Sequence, residues 1–261
     1  MFPSEVMRVK KKTFYECVGD AKAQKAVSLA LILKLRLGRM STLHNWSVNK
    51  LHEVTGASPS TIKKYLPVMK AMGLVFTQGK NDRHLVVGKL STRRACRNID
   101  LSLVDLSTFK SAYNCLRAFI AMSIQARKDF IRRTIQGVRQ PSSYEELKEA
   151  RRTMRRLVKS GAVAGMDSEY RELGLSRARV AREIGNCLRT AHTVIKFAIK
   201  KGWWTKEQHP IRVLLSDICF RDTGGFFTYT TKNYLVLMKA NTYTLKESLY
   251  SLFYPHETLS V

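Results

Sequence analysis

The sequence lacks the paired cysteines of a disulfide framework or a structural zinc site. Its cysteines are odd in number, widely separated, and form no C-x-x-C pair. This usage is typical of a reducing compartment, where a free cysteine usually behaves as a small apolar residue. We therefore predict that the thiols lie in the core. The five residues are Cys17, Cys96, Cys115, Cys187 and Cys219.

Long apolar runs are also missing. The longest, Leu29–Leu33, is bounded by Lys34 and falls far short of the roughly 20 residues that a membrane span needs. The N-terminus, MFPSEVMRVKKK, lacks the apolar stretch of a secretory signal. We expect no membrane partner and a cytoplasmic location, which would be the bacterial cytoplasm or nucleoid, or the host cytoplasm for a phage-encoded chain.

Acidic residues are scarce. The 261 residues include 20 Asp+Glu against 46 Lys+Arg, which gives a formal net charge of +26. A compact chain this basic repels itself, so the charge predicts an anionic partner. The hydrophobic fraction of 44% excludes a wholly disordered basic tail. Residues 1–130 carry +15 and residues 131–261 carry +11, a distribution that favours a long contact over a tethering arm.

Enzyme signatures are missing as well. The chain has no G-x-x-x-x-G-K-[ST] phosphate loop, no H-x-H pair and no clustered carboxylates for two-metal chemistry. We predict no catalysis, no metal and no cofactor. His209 and Arg212 have the H-x-x-R spacing of tyrosine recombinases, with Tyr243 downstream as a nucleophile. The surrounding sequence lacks the pattern of that family, and a recombinase is kept as an alternative.

The first predicted helix spans residues 21–37. Small and aliphatic side chains recur there at helical spacing, and Gly38 stands where a C-terminal cap belongs. A short amphipathic segment then opens at Ser47 and closes at Gly56.

A further helix is predicted from Ser58 to Gly73. A capping hydroxyl followed by Pro59 is typical of a helix start. Pro67 lies inside this helix, and we expect a bend there because the proline ring clashes with the preceding turn. The predicted buried stripe is Ile62, Tyr65, Leu66 and Met69.

A hairpin is predicted directly after this helix. Residues Val75 to Gln78 and His84 to Val87 have strand composition, and a polar loop with Gly79 joins them. The order of residues 21–90 is therefore helix, helix, tight turn, helix, hairpin.

The middle of the chain is predicted to be helical and basic. One long helix is expected over about residues 108–137, and another after Pro141. One face of the second is almost all arginine, which would suit either a phosphate contact or a solvated face that complements the helix dipole. These candidate phosphate contacts are Arg151, Arg152, Arg155 and Arg156.

An internal repeat appears at an offset of 129 residues. SVNKLHEVTGASPSTIKKYLPVMKAMGLV lies ungapped over SRARVAREIGNCLRTAHTVIKFAIKKGWW. Gly56 meets Gly185 and Gly73 meets Gly202, while the apolar stripe keeps its register. Shared glycine spacing with shared stripe register predicts that one structural unit occurs twice.

Each copy resembles the winged-helix superfamily of DNA-binding domains, over residues 21–90 and more weakly over residues 144–240. The resemblance implies a mainly α fold with small β-hairpins (α+β), in which a basic helical linker joins two winged-helix domains. The second wing is left open, because the hairpin Phe226–Thr230 with Tyr234–Lys239 suits either a displaced wing or a self-association element. The predicted divisions are 1–20 (basic N-terminal segment), 21–92 (first domain), 93–141 (linker), 142–240 (second domain) and 241–261 (C-terminal tail).

By this resemblance, the N-terminal parts of residues 59–72 and 188–201 would face the major groove. Arginine is the strongest candidate for reading guanine, whereas Ser, Thr and Lys more often bind phosphate. The candidate DNA-contacting residues are Ser58, Ser60, Thr61, Lys63 and Lys64 in the first helix, Lys80, Arg83 and His84 on the first wing, and Arg189, Thr190, His192, Thr193 and Lys196 in the second helix.

The architecture resembles that of plasmid or phage replication initiators, which implies a double-stranded DNA partner and contact with replication proteins. A transcriptional regulator would use the same parts and would contact transcription proteins. A third alternative is a basic protein that coats nucleic acid, or is packaged with it, without reading its sequence. Self-association into a homo-oligomer is compatible with each alternative.

Overall fold

The structure is a computed structural model of the chain. It describes residues 7–38, 40–93, 97–101, 106–135, 148, 152, 175–207, 210–214, 227–230, 234–238, 242–246, 249 and 252–253. Within these ranges, no helix combines the length and the apolar character that crossing a membrane requires.

The described elements are helices and short antiparallel strands, which agrees with the predicted α+β class. The helices are α1 (Lys11–Glu16), α2 (Ala21–Leu37), α3 (Val48–Thr55), α4 (Pro59–Ala71), α5 (Phe109–Ile135), α6 (Arg177–Glu183) and α7 (Leu188–Lys200). The strands are β1 (Arg8–Lys10), β2 (Thr42–His44), β3 (Val75–Gln78), β4 (His84–Val87), β5 (Asn98–Asp100), β6 (Trp204–Glu207), β7 (Pro210–Leu214), β8 (Phe227–Thr230), β9 (Tyr234–Met238) and β10 (Thr242–Leu245).

The chain divides into two compact units that do not follow the predicted domain boundaries. Unit 1 comprises residues 1–122, 180–197 and 247–261, and unit 2 comprises residues 123–179 and 198–246. Most of α6 and α7 therefore belongs to the same unit as residues 1–122, nearly the N-terminal half of the chain. A boundary near residue 142 was predicted from sequence continuity, which carries no information about such long-range packing.

Helix α2 is the centre of unit 1. Asp20 caps it by accepting hydrogen bonds from the backbone N–H groups of Lys22 and Ala23 at 2.7 and 3.1 Å, and Gly38 follows its last residue. Every residue from Ala26 to Leu33 is buried. Helices α3 and α4 both pack against α2, which makes a three-helix core.

A three-stranded antiparallel sheet, in the order β2-β4-β3, completes the first helical group. The predicted strands 75–78 and 84–87 are confirmed as β3 and β4, with Val75 opposite Val87. Strand β2 pairs with the outer side of β4 and was not predicted. Helix α4 begins at Pro59 as predicted and continues unbroken through Pro67 to Ala71.

The segment interpreted as a basic N-terminal stub is folded where the structure describes it. Strand β1 pairs with β5, so that Val9 lies opposite Ile99, and α1 follows at once. Val9, Phe14 and Cys17 are fully buried. The run Lys10–Lys12 is basic, but the apolar residues before and after it pack this segment into the core.

Helix α5 confirms the long helix predicted over residues 108–137. Its first half is more than a linker, because Leu116, Phe119 and Ile120 are fully buried. The predicted C-terminal tail also contributes core residues: Leu249 and Phe253 are buried, and the Phe253 ring lies 5.9 Å from that of Phe119. These apolar side chains explain why both segments join unit 1.

Unit 2 contains a pair of antiparallel strands that are far apart in sequence. Strand β6 pairs antiparallel with β10, and Glu207 lies opposite Thr242. The predicted hairpin of β8 and β9 exists, but β9 also pairs with β7 in a separate three-stranded sheet of order β7-β9-β8. The second strand beside β6 thus comes from the segment assigned to the tail. Strand β7 pairs antiparallel with β9, and Pro210 lies opposite Met238.

The repeat predicted from the sequence recurs as backbone structure. Shifted by 129 residues, α4 and β3 coincide with α7 and β6 residue for residue. Gly73 and Gly202 share positive φ angles of 65° and 69°. The backbone hydrogen bond from Leu74 to the Met69 carbonyl, at 2.9 Å, reappears from Trp203 to Ala198 at 3.0 Å.

Candidate nucleic-acid interface

The start of α4 is built from hydroxyl side chains. Ser58 Oγ accepts a hydrogen bond from the Thr61 backbone N–H at 3.2 Å, which satisfies one of the free donors at the helix N-terminus. The same oxygen lies 3.0 Å from Ser60 Oγ and 2.8 Å from Thr61 Oγ1. Three hydroxyl groups are therefore fixed close together at one helix end.

The two sides of α4 differ sharply in burial. Ile62, Tyr65 and Met69 are buried as predicted, and Leu66 of the same stripe is half-buried. The opposite face presents the predicted DNA-contacting residues to solvent. Ser58, Ser60, Lys63 and Lys64 are exposed, and Thr61 is half-buried.

A contact with α2 holds the buried side of α4, and the same lysine reaches α5. Lys25 Nζ donates a hydrogen bond to the Tyr65 hydroxyl at 3.2 Å and lies 5.5 Å from the centre of the Tyr113 ring. Arg117 packs on the same Tyr113 ring at 4.2 Å. Partial burial removes water from this guanidinium and lowers the pKa of Arg117.

The hairpin after α4 ends in a tip of unusual backbone conformation. Residues Lys80–Asp82 form a 3-10 turn in which Asn81 and Asp82 have positive φ angles of 59° and 53°. Lys80 and Arg83 are exposed there, as a wing contact would require, while His84 is half-buried.

Two residues that the sequence analysis missed brace this tip. Trp46 Nε1 donates a hydrogen bond to the Asp82 carbonyl at 2.8 Å, and its backbone N–H donates to the Arg83 carbonyl at 3.2 Å. His44 lies opposite His84 across β2 and β4, with 3.2 Å between their Nδ1 atoms. An aromatic residue directly before the capping Ser47 was the available signal for Trp46.

Helix α7 repeats the division seen in α4. Ala191, Val194, Ile195 and Ala198 are buried as the repeat predicts. The other face carries the second set of predicted contacts: Arg189, His192, Thr193 and Lys196 are exposed, and Thr190 is half-buried. The structure thus brings each predicted set together on one exposed helix face.

Cys187 lies immediately before α7 and is exposed, so its predicted place in the core is wrong. Cys17 and Cys115 are buried as predicted, whereas Cys96 and Cys219 lie outside the described residues. A hydrogen bond with Thr190 Oγ1, 3.4 Å from the sulfur, and backbone N–H groups of the helix end lower the pKa of Cys187. Burial, helped by the nearby Glu16 and Asp20, raises that of Cys17 to about 12.

The basic side chains on these faces lack acidic partners among the residues that the structure describes. In the part of the chain that the structure describes, no carboxylate lies within 4 Å of Lys63, Lys64, Arg83, Arg189 or Lys196. Exposed cations without acidic partners leave a positive potential over both helix faces and the wing tip. That potential favours a polyanion.

The arginine-rich face proposed as a phosphate contact is largely outside the described residues. Arg151, Arg155 and Arg156 are not described, while Arg152 is helical and exposed.

The structure also bears on two chemical possibilities, a tyrosine recombinase site and a metal site. Tyr243, the nucleophile in the recombinase alternative, is 3% exposed, and its ring lies 5.1 Å from that of Trp204. A core tyrosine does not present its hydroxyl to a phosphodiester, and His209 lies outside the described residues. The described ranges contain no group of three or more His, Cys, Asp or Glu side chains suited to holding a metal.

Comparison of the chain with protein-family models, with curated protein sequences and with solved structures found no match. The functional assignment therefore depends on the residues and geometry described above.

Proposed function

We propose that this protein binds double-stranded DNA through two winged-helix units that read adjacent major-groove segments. One observation carries the proposal. The unit of capped turn, helix and strand occurs twice, and in each copy the buried stripe faces inward while serine, threonine and basic side chains face out.

The first winged-helix copy has every part that such binding needs. An α-helix fits the major groove, and the N-terminal residues of a recognition helix contact base edges there. In α4 the residues at this end are Ser58, Ser60, Thr61, Lys63 and Lys64, of which Lys64 would bind phosphate. The hairpin of β3 and β4 follows α4 directly in the chain, and Lys80 and Arg83 at its tip would bind phosphate.

In the second copy of the repeat, Arg189 is the residue assigned to base reading. Its guanidinium can donate two hydrogen bonds to the O6 and N7 acceptors of one guanine. Thr190, Thr193 and Lys196 would bind phosphate and fix the register of the helix. The β6–β10 pair would form the base of the second wing.

The biological role proposed is that of a plasmid or phage replication initiator, acting by binding an origin. Two non-identical units in one chain suit asymmetric origin repeats, which a symmetric dimer would not match. This step is fold-level analogy, and a transcriptional regulator of the same architecture is the alternative. Replication of a plasmid carrying the bound site, dependent on this protein, would separate the two roles.

The charge favours a second candidate function, that of a protein that coats nucleic acid. A net charge of +26 spread over both halves would bind any duplex. The hydroxyl-rich start of α4 favours sequence reading instead, because short hydrogen-bonding side chains add little to a purely electrostatic contact.

The test is selection of bound sequences from a random duplex pool at about 150 mM salt, where non-specific binding is weak. The proposal predicts an enriched motif of two half-sites. Arg189→Ala should degrade one half-site and Lys64→Ala should weaken binding without changing the motif. Tight binding with no enriched motif would leave the coating function.

A further inference from the structure

A backbone contact within unit 1 joins the second copy of the repeat to the segment that leads into α2. The turn between α6 and α7 lies against the segment that leads into α2. The Gly19 backbone N–H donates a hydrogen bond to the Glu183 carbonyl at 2.6 Å. We call this contact, formed by residues 17–24 with 183–186, the clasp.

The side chain of Gln24 stabilises the clasp by hydrogen bonds to both of its segments. Its side chain is fully buried, and Nε2 donates to the Cys17 carbonyl at 2.8 Å and to the Ile184 carbonyl at 3.0 Å. Opening the clasp would break both of these buried hydrogen bonds. Val180 and Ile184 are also fully buried, so apolar packing adds to the contact.

The two backbones approach so closely that a side chain cannot fit between them. A Cβ on Gly185 would lie 2.3 Å from the Gly19 carbonyl oxygen and 2.7 Å from its carbon. Gly56, the equivalent glycine of the first copy, has open space around its Cβ position. The turn glycine is therefore needed for backbone conformation in both copies and for close approach only in the second.

Helix α2 connects the clasp to the first recognition helix. Gln24 lies in the first turn of α2, and α4 packs along the same helix. The turn that begins α7 and the buried side of α4 are thus held by one continuous helix. Between the clasp and α4 the connection is made by the single helix α2, without a loop.

From these contacts we infer that α4 and α7 form one rigid reading head, so that the protein selects DNA by the spacing of its half-sites as well as by their sequence. The inference rests on the proposed function for its DNA partner. Each inserted base pair would shift a half-site by about 3.4 Å and turn it by about 35°. A rigid head cannot follow either change.

The rigidity can be measured without DNA. Spin labels on native Cys187 and on Ser60→Cys report the distance between the two helix starts, in a full-length chain with Cys96 and Cys219 replaced by serine. The inference predicts one narrow distance distribution. Gly185→Ala should broaden it and Gly56→Ala should not, although both alanines adopt a positive φ. Gln24→Ala provides a second, sterically milder release of the clasp.

The DNA test uses the selected bipartite site with insertions of 2, 5 and 10 base pairs between half-sites. A rigid head should lose about 100-fold or more in affinity for all three, including the full turn. Recovery at 10 base pairs, or a broad distance distribution in the free protein, overturns the inference and leaves the proposed function intact. A narrow distribution with no selectable DNA motif refutes the proposed function and, with it, selection by spacing.

Discussion

At the scale of single residues, the strongest prediction concerns Arg189. Replacing it with alanine removes a two-point hydrogen bond to one guanine, so discrimination at that base should fall by about 1–3 kcal/mol. Fluorescence anisotropy with the selected site and its single-base variants measures this loss.

Arg182 offers a matched control, because it is exposed on α6, the helix that the proposed docking keeps outside the groove. Arg182→Ala removes the same charge and should weaken binding to every sequence alike. Equal loss of base discrimination in both variants would contradict the assignment of α7 as a reading helix.

Cys187 provides a chemical probe of the same surface. Its lowered pKa raises the thiolate fraction near neutral pH, so alkylation should begin at lower pH than for a free cysteine. Bound duplex should protect it, because the sulfur lies at the N-terminus of α7. Cys17, with a pKa of about 12, should stay unmodified and serves as the internal control. Undiminished alkylation of Cys187 in the complex would contradict the proposed docking.

Side-chain periodicity predicted which residues of α4 and α7 face solvent. An α-helix has a fixed period, so its regularly spaced apolar residues form the buried face and the remaining residues form the exposed face. All the predicted contacts of α4 and α7 lie on the outer side or at its margin. Periodicity could not reveal Gln24 or Trp46. Gln24 hydrogen-bonds 160 residues away and Trp46 bonds 36 residues away, so their roles depend on the tertiary fold.

At the scale of elements, the wing tip depends on Trp46. Trp46→Phe keeps an aromatic ring beside Lys70 and removes the hydrogen bond to the Asp82 carbonyl. Losing a hydrogen bond worth about 1 kcal/mol should open the tip about five times more often. Tryptic cleavage after Lys80 and Arg83 should accelerate accordingly.

Cleavage after Lys70, within α4, supplies the internal standard for that experiment. Equal acceleration at Lys70 would mean that the substitution loosens the whole domain rather than the tip.

The pairing of β6 with β10 predicts that the residues between these two strands can be replaced by a short turn. Glu207 lies opposite Thr242, so residues 208–241 leave and return at neighbouring points of one hairpin. Replacing them with Asn-Gly supplies a two-residue turn that suits such strands. We expect a folded protein that still binds the selected site, measured by thermal unfolding and anisotropy. Loss of folding would show that the inserted sheet stabilises the hairpin.

Local signals explain which elements were predicted. Ser58-Pro59, Gly38 and the loop at Gly79 mark boundaries by backbone chemistry, and α2, α4, β3 and β4 begin or end at those positions. The β6–β10 pair escaped prediction because no short-range signal links strands separated by an inserted sheet. The burial of β1 and α1 escaped for a related reason: their partners, β5 among them, lie far along the chain.

At the scale of the whole molecule, the excess charge sets the salt dependence. If about eight phosphates are neutralised, affinity should fall by about 10³- to 10⁵-fold between 50 and 200 mM salt. Lys64→Ala should reduce the log–log slope by about one, because it removes one phosphate contact. Titrations over that range measure both values, and an unchanged slope would remove Lys64 from the interface.

Salt dependence does not separate a reader from a coating protein, because both neutralise phosphates. The deciding measurement is the ratio of affinities for the selected duplex and for a scrambled duplex of equal length, at about 150 mM salt. Two reading helices predict a ratio of about 10³ or more. A ratio near one would contradict the account, since the exposed faces of α4 and α7 would then carry charge without reading sequence.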